Sequence, residues 1–125
     1  MLLDSNIIIY AAEPGYHEVR KFIAENKSQV SVISKVEVLG YHKLNTKNKD
    51  KLEIIFQSLP ILILNEEIIA KAILLRQQQK ISLGDSLIGA TALFYDLSIV
   101  TANVKDFSWI DNLEIINPIK NSVDK

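Results

Sequence analysis

The chain has 125 residues, 48% of them hydrophobic, a length and composition that predict one domain with a core of its own, and it has no cysteine, which excludes disulfides, thiolate metal sites and cysteine nucleophiles. Its formal charge is −1, from 14 basic and 15 acidic residues, so it lacks the basic surplus that holds nucleic acid by charge alone. Any contact with nucleic acid must come from a local basic patch, from bound cations, or from both.

Met1 to Asp4 opens as a short apolar strand, and Asn6 to Ala12 turns at once into a helix. Glu13-Pro14-Gly15 breaks the chain. His17 to Asn26 carries Val19, Phe22 and Ile23 at helical spacing, Val30 to Ile33 reads as a second strand, and Ser34 to Leu44 as a helix. After the polar stretch Asn45 to Asp50, a helix presents Leu52, Ile55, Phe56 and Leu59 on one face until Pro60 ends it. Ile61 to Leu64 is a continuous apolar run suited to a buried parallel strand. Asn65 caps a helix that runs to about Gln79, with Glu66 and Glu67 in the first turn where the helix dipole favours acids. Gly84 to Leu97 is a further helix, Ser98 to Thr101 a strand, Phe107 to Ile110 a short turn, and Leu113 to Ile116 a last strand. A polar tail is expected from about residue 119. Strands alternating with helices predict an α/β fold with a mainly parallel sheet, in which ligands gather at the carboxyl ends of the strands. Apolar runs this short cannot span a bilayer, and the start has no basic, long-apolar leader, so a soluble cytoplasmic protein without a membrane anchor is expected.

Four acids stand at places where such a sheet would collect them. Asp4 follows the first strand, at the edge where active sites form, although Asp4-Ser5-Asn6 before an apolar helix also reads as an N-cap. Glu37 sits three residues after Ser34, the spacing of a capping box, and Ser82 and Asp85 repeat it. Asp85 is more telling. Ile88, Gly89 and Ala92 share its helix face, so its carboxylate points toward the interior, where it needs a partner or a metal. Asp106 lies in a polar loop just past a late strand. Each acid alone is explained by a cap or a loop. Together they would repel, and divalent cations resolve that repulsion. Magnesium takes oxygen ligands and bridges to phosphate, and one or two such ions can activate water for phosphodiester cleavage without a nucleophilic side chain.

The segments that carry these acids are Leu2-Leu3-Asp4-Ser5-Asn6 with Ile7-Ile8-Ile9 behind it, Ser34-x-x-Glu37, Gly84-Asp85-Ser86-Leu87-Ile88-Gly89-Ala90-Thr91-Ala92, and Thr101-Ala102-Asn103-Val104-Lys105-Asp106-Phe107. In this order and spacing they resemble a PIN domain, and the compact length is similar to that of VapC-like toxins of bacterial and archaeal toxin–antitoxin modules. The resemblance implies a three-layer α/β/α fold across residues 1–125 and an endoribonuclease dependent on Mg2+ or Mn2+, with one or two ions. It implies a cognate antitoxin and a homodimer. It carries Asp4, Glu37, Asp85 and Asp106 over as the catalytic, metal-holding acids, with Asn6, Thr101 and Asn103 as supporting polar residues. Two positions depart from the family's pattern. Ser5 stands where threonine is common, and Ala102 stands where a basic residue often precedes the asparagine. The second removes one phosphate contact.

Other features attract blander readings. Lys43, Lys47, Lys49 and Lys51 could hold RNA phosphates, but lysines in a polar turn are the usual solvated face. His17 and His42 have no partner motif, and Tyr10, Tyr16, Phe22, Tyr41, Phe56, Tyr95 and Trp109 fit core or interface roles. An antitoxin segment would dock in an apolar groove, for which the helices near Tyr10 and Tyr41 are candidates. Two competing readings are a different magnesium-dependent phosphate-handling α/β enzyme and an inactive PIN-like scaffold binding RNA or a partner. A haloacid-dehalogenase-like phosphatase needs a second acid two residues after the first, where this chain has Asn6, and the presence of all four acids speaks against the scaffold.

Overall fold

The computed structural model describes residues 1–119. Twelve elements follow one another: β1 (Leu2–Leu3), α1 (Ser5–Ala11), α2 (His17–Glu25), β2 (Gln29–Ser31), α3 (Val32–Leu39), α4 (Thr46–Ser58), β3 (Ile61–Leu62), α5 (Glu66–Gln78), α6 (Leu83–Phe94), β4 (Ile99–Val100), α7 (Val104–Phe107) and β5 (Ile115–Ile116). The strands are short, and all pair in parallel in the order β3-β2-β1-β4-β5. Parallel neighbours need crossovers, which the intervening helices supply.

Alternation along the strands splits the core in two. Leu3, Val30 and Val100 point to one face, where they meet Ile7 and Ile8 of α1, Val19 of α2, and Leu52 and Phe56 of α4. Leu2 and Ile99 point to the other, against Ile68 and Leu75 of α5, Ile88 of α6, and Phe107 of α7. This is the three-layer α/β/α arrangement that was expected. Helix α3 touches both halves, with Val38 in the first cluster and Ile33 packed on the second. It therefore stands beside α1 on one side and α6 on the other, which matters below.

The chain leaves β1 toward β2 on one side, and later returns to β4 on the other. A crevice must open above the carboxyl ends of β1 and β4, the position where open α/β sheets bind ligands. Asp4 and Thr101 are the first residues beyond those two strand ends. They extend the ladder by one step, with Asp4 N donating to Val100 O at 2.9 Å and Thr101 N to Ile116 O at 2.9 Å.

Several boundaries differ from the sequence expectation. Helix α3 starts at Val32 rather than Ser34, because Ser31 is its cap: the Ser31 hydroxyl accepts from Ile33 N at 3.0 Å. The helix ends at Leu39, with Gly40 as its C-cap, so Tyr41 and Leu44 are not part of it. The apolar run Ile61 to Leu64 yields only a two-residue edge strand, both residues half-buried, and Ile63 is 68% exposed. With a neighbour on one side only, β3 does not need the continuous apolar burial of a central strand. Phe107 belongs to a short helix rather than a turn, and β5 begins at Ile115, not Leu113. Ile119 is buried in the first core cluster, so any polar tail begins after it; residues 120–125 lie outside the described residues.

Candidate active site

Asp4 serves two structural roles before any chemical one. Its backbone closes β1, and its side chain caps α1, with Oδ1 accepting from Ser5 N at 2.8 Å. Oδ2 accepts from the Thr101 hydroxyl at 2.8 Å across the β1–β4 crevice. Both oxygens are thereby oriented, and the residue is only 5% exposed. Burial is the main reason its carboxyl titrates above the usual aspartate range. The Thr101 and Ser5 hydrogen bonds oppose that shift, while the nearby charges of Glu37 and Asp106 add to it.

Thr101 is fully buried, and its hydroxyl is a hub. Besides donating to Asp4, it accepts from Asn103 N at 3.0 Å and, at the long distance of 3.5 Å, from Asn6 Nδ2. Asn6 Oδ1 accepts from Ala102 N at 3.4 Å, so Asn6 ties the first turn of α1 to the segment after β4. Asn103 contributes its backbone N–H. Its exposed side chain makes no capping bond to α7.

Asp85 is the third residue of α6, whose N-cap is Ser82: the Ser82 hydroxyl accepts from Asp85 N at 3.1 Å. This capping interaction is real, and Asp85 also faces the site. Ile88, Gly89 and Ala92, on its side of the helix, are all buried. Its carboxyl is pushed up to about 6, first by burial, then by the charges of Asp4 and Asp106, with Ser82 opposing and Glu37 adding. Carboxylates from α1's cap, α3, α6 and α7 thus sense one another. No basic side chain is among the causes of either shift.

Glu37 lies on α3, on the surface. Its Oε1 is 2.9 Å from the Ser5 hydroxyl, which lies 3.0 Å from the hydroxyl of Ser34. Ser34 is fully buried inside α3, not a cap as its spacing from Glu37 suggested. Asp106 is exposed on the short α7, near enough for its charge to raise both Asp4 and Asp85. Sequence reasoning missed Ser5 and Ser34 as parts of the site. The one available signal was the hydroxyl directly after Asp4.

The structure therefore brings Asp4, Glu37, Asp85, Asp106, Asn6 and Thr101 to one edge of the sheet, with Asn103 present through its backbone. Among the described residues, no three His, Asp or Glu side chains converge closely enough to hold a bare ion directly. That is the arrangement expected of like charges standing apart, and magnesium keeps several of its waters and binds through one or two carboxylates. An all-oxygen, all-anionic donor set, with no compensating cation evident among the described residues, fits a hydrated divalent ion.

Comparison with known proteins supplies the family. A profile of the PIN domain matches residues 1–113. The chain belongs to the PIN domain family. Within that family it is VapC-like: it is 32% identical over 129 aligned positions to Ribonuclease VapC1 of Rickettsia felis, covering 93% of this chain and 94% of that protein. A second relative, Ribonuclease VapC of Rickettsia bellii, is 30% identical, covering 96% and 98%. Among solved structures, VapBC2 from Rickettsia felis bound to a promoter DNA fragment has a chain that superposes with a TM-score of 0.78 at 28% identity, covering 93% of this PIN chain and 96% of its own. Dependence on a divalent metal is general to the PIN family.

Proposed function

We propose that this PIN chain is a divalent-metal-dependent endoribonuclease and the toxin of a toxin–antitoxin pair. The observation that carries the reading is the convergence of four acids, from four separate elements, on the β1–β4 crevice of a PIN-family chain, with no basic side chain of the described residues contributing to the shifts of Asp4 and Asp85. Ribonuclease activity is in the names of its relatives, and a toxin–antitoxin complex from Klebsiella pneumoniae, 27% identical in the matched chain, supports the antitoxin partner.

On this reading Asp4, Glu37, Asp85 and Asp106 are the catalytic acids and would hold one or two Mg2+ or Mn2+ ions, with Asn6, Thr101 and Asn103 in support. A divalent ion bound there supplies charge that stabilises a phosphodiester's developing negative charge and acidifies water. The chain supplies placement. Asp4 is the rigid anchor, fixed through both oxygens. Asp85 is held at a helix N-terminus, where the dipole favours its anion. Thr101 and Asn6 lock the two sides of the crevice together. Lys43 lines a cleft of about 250 Å³ together with Glu37 and Tyr41, where an RNA phosphate could meet it. A homodimer and a cytoplasmic location, where the RNA is, belong to the same reading; no helix among the described residues is long and apolar enough to cross a membrane.

The test is direct. Purified protein is expected to cut RNA in Mg2+ or Mn2+, and chelator is expected to stop it. Undiminished cutting in chelator sinks the reading, and RNA binding without cutting in either metal returns it to a scaffold. A second expectation concerns stability. Cations that bind only the folded site stabilise it by mass action, about 2.7 kcal/mol at a hundredfold excess over Kd. Millimolar Mn2+ is therefore expected to raise the melting temperature by several degrees in differential scanning calorimetry, and an unchanged transition argues against a formed site.

A further inference from the structure

Asp4 has burial and two hydrogen bonds to hold it, whereas Glu37 has a longer, more flexible side chain on an exposed surface. Two features beside it nevertheless fix its carboxylate. The first is the pair of hydroxyls. Ser5 has one hydroxyl proton and Glu37 can only accept, so Ser5 donates to Oε1 at 2.9 Å and its oxygen is left to accept from Ser34 at 3.0 Å. Ser34 is fully buried and makes this contact from the interior of α3.

The second is Gly84, in the first turn of α6. A Cβ placed on Gly84 would overlap Oε2 of Glu37 and lie 3.0 Å from its Cδ and 3.3 Å from Oε1. The Glu37 carboxylate thus occupies the space a side chain at position 84 would fill. The three nearest atoms such a Cβ would meet all belong to Glu37. The backbone of Gly84 is not in the left-handed region, unlike that of Gly15 at φ +88°, and alanine is the better helix former. The position next to it is Asp85.

Building on the metal-site reading above, we propose that Gly84, Ser5 and Ser34 are positioning residues that set the Glu37 carboxylate beside Asp85 for divalent-cation binding: the hydroxyls hold it from α1 and α3, and the missing side chain gives it room against α6. The cost is a weaker helix start.

Gly84→Ala tests this, with Mn2+ alone as the probe. The variant is expected to melt, metal-free, at or above the wild-type temperature. Its Mn2+ affinity, measured by calorimetry, is expected to fall roughly ten- to hundredfold, the range typical when support for a metal ligand is lost. Cleavage at saturating Mn2+ is expected to recover more than cleavage at limiting Mn2+. Glu37→Asp, whose shorter side chain clears the new Cβ, is expected to weaken Mn2+ binding in the wild-type background and strengthen it in the Gly84→Ala background. That sign reversal is a coupling a merely structural role would not give. Ser5→Thr, which keeps the hydroxyl, is expected to bind Mn2+ like wild type, whereas Ser5→Ala and Ser34→Ala are expected to bind it less tightly. Wild-type Mn2+ affinity in Gly84→Ala, or the absence of the sign reversal, overturns the proposal. A crystal structure of metal-free Gly84→Ala separates this from the metal-site reading. The Ser5–Glu37 contact is expected to open beyond hydrogen-bond reach even if no metal ever binds, and its retention at 2.9 Å overturns the positioning role regardless of activity.

Discussion

Asp4→Asn is expected to leave a folded protein that cuts RNA at least about a hundredfold more slowly in saturating metal, the scale of loss seen when one electrostatic group is removed from a catalytic site. The fold is expected to survive because asparagine is as good an N-cap as aspartate, so the bond from Ser5 N persists. The bond to Thr101 reverses: an amide there donates to the hydroxyl that now donates to Oδ2, at the expense of the long 3.5 Å contact from Asn6 Nδ2. The substitution also removes a buried charge that burial and two neighbouring acids disfavour, so the metal-free variant is expected to melt no lower than wild type. Asp4→Ala is the contrasting control. It is equally inactive on this account, but it also loses the cap, at about 1 kcal/mol. Near-normal cleavage by a folded Asp4→Asn protein would remove Asp4 from the site.

This separation of folding from chemistry reflects how the fold and the site were legible in the sequence. The layer architecture was written in periodicity. Leu2 and Leu3 alternate between two helical layers, and the helical spacing of Leu52 and Phe56, or of Ile88 and Ala92, names the faces that cover the sheet. Asp85 was legible for the same reason, because its helix-mates are core residues. What the sequence conveyed poorly was any feature decided by a contact between distant elements. Ser34 and Glu37 have the spacing of a capping box, yet Ser31 takes the cap and Ser34 turns inward to Ser5, 29 residues away. Spacing alone cannot distinguish these, since a hydroxyl three residues before a carboxylate is the same pattern in both cases. The length of β3 was overread because an apolar run does not say whether one or two neighbours will flank it, and here only β2 does. Thr101 as a hub was likewise invisible, because its partners Asp4 and Asn6 are 97 and 95 residues away.

The same crevice makes metal binding and stability depend on pH in opposite senses, and Asp85 is the group that reports both. In the folded, metal-free protein its carboxyl is pushed up to about 6, whereas in the unfolded chain it returns to the ordinary aspartate value of about 3.9. Its folded value is the higher one. Between those two values the folded state therefore holds more protons than the unfolded state, and stability falls as pH rises through that window, reaching its lower plateau above about 6. Asp85→Asn cannot ionise. Its metal-free stability relative to wild type is expected to be unchanged near pH 4, to grow as pH rises to about 6, and to stay level beyond, read as the difference in melting temperature across a pH series. A cation reverses the ordering, because it needs the ionised carboxylate and displaces its proton. Apparent Mn2+ affinity of the wild type is expected to be level above pH 7 and to have fallen about tenfold by pH 5, as protonation with a midpoint near 6 requires, with RNA cleavage at limiting Mn2+ following the same limb. Asp85→Asn is expected to cut no RNA and to gain no melting temperature from Mn2+ at any pH. The decisive outcome is the crossing itself: metal-free, the variant is the more stable protein at pH 7.5, and in millimolar Mn2+ the wild type is. Absence of that crossing would mean that the strain of gathering four acids at this sheet edge is not what the cation relieves.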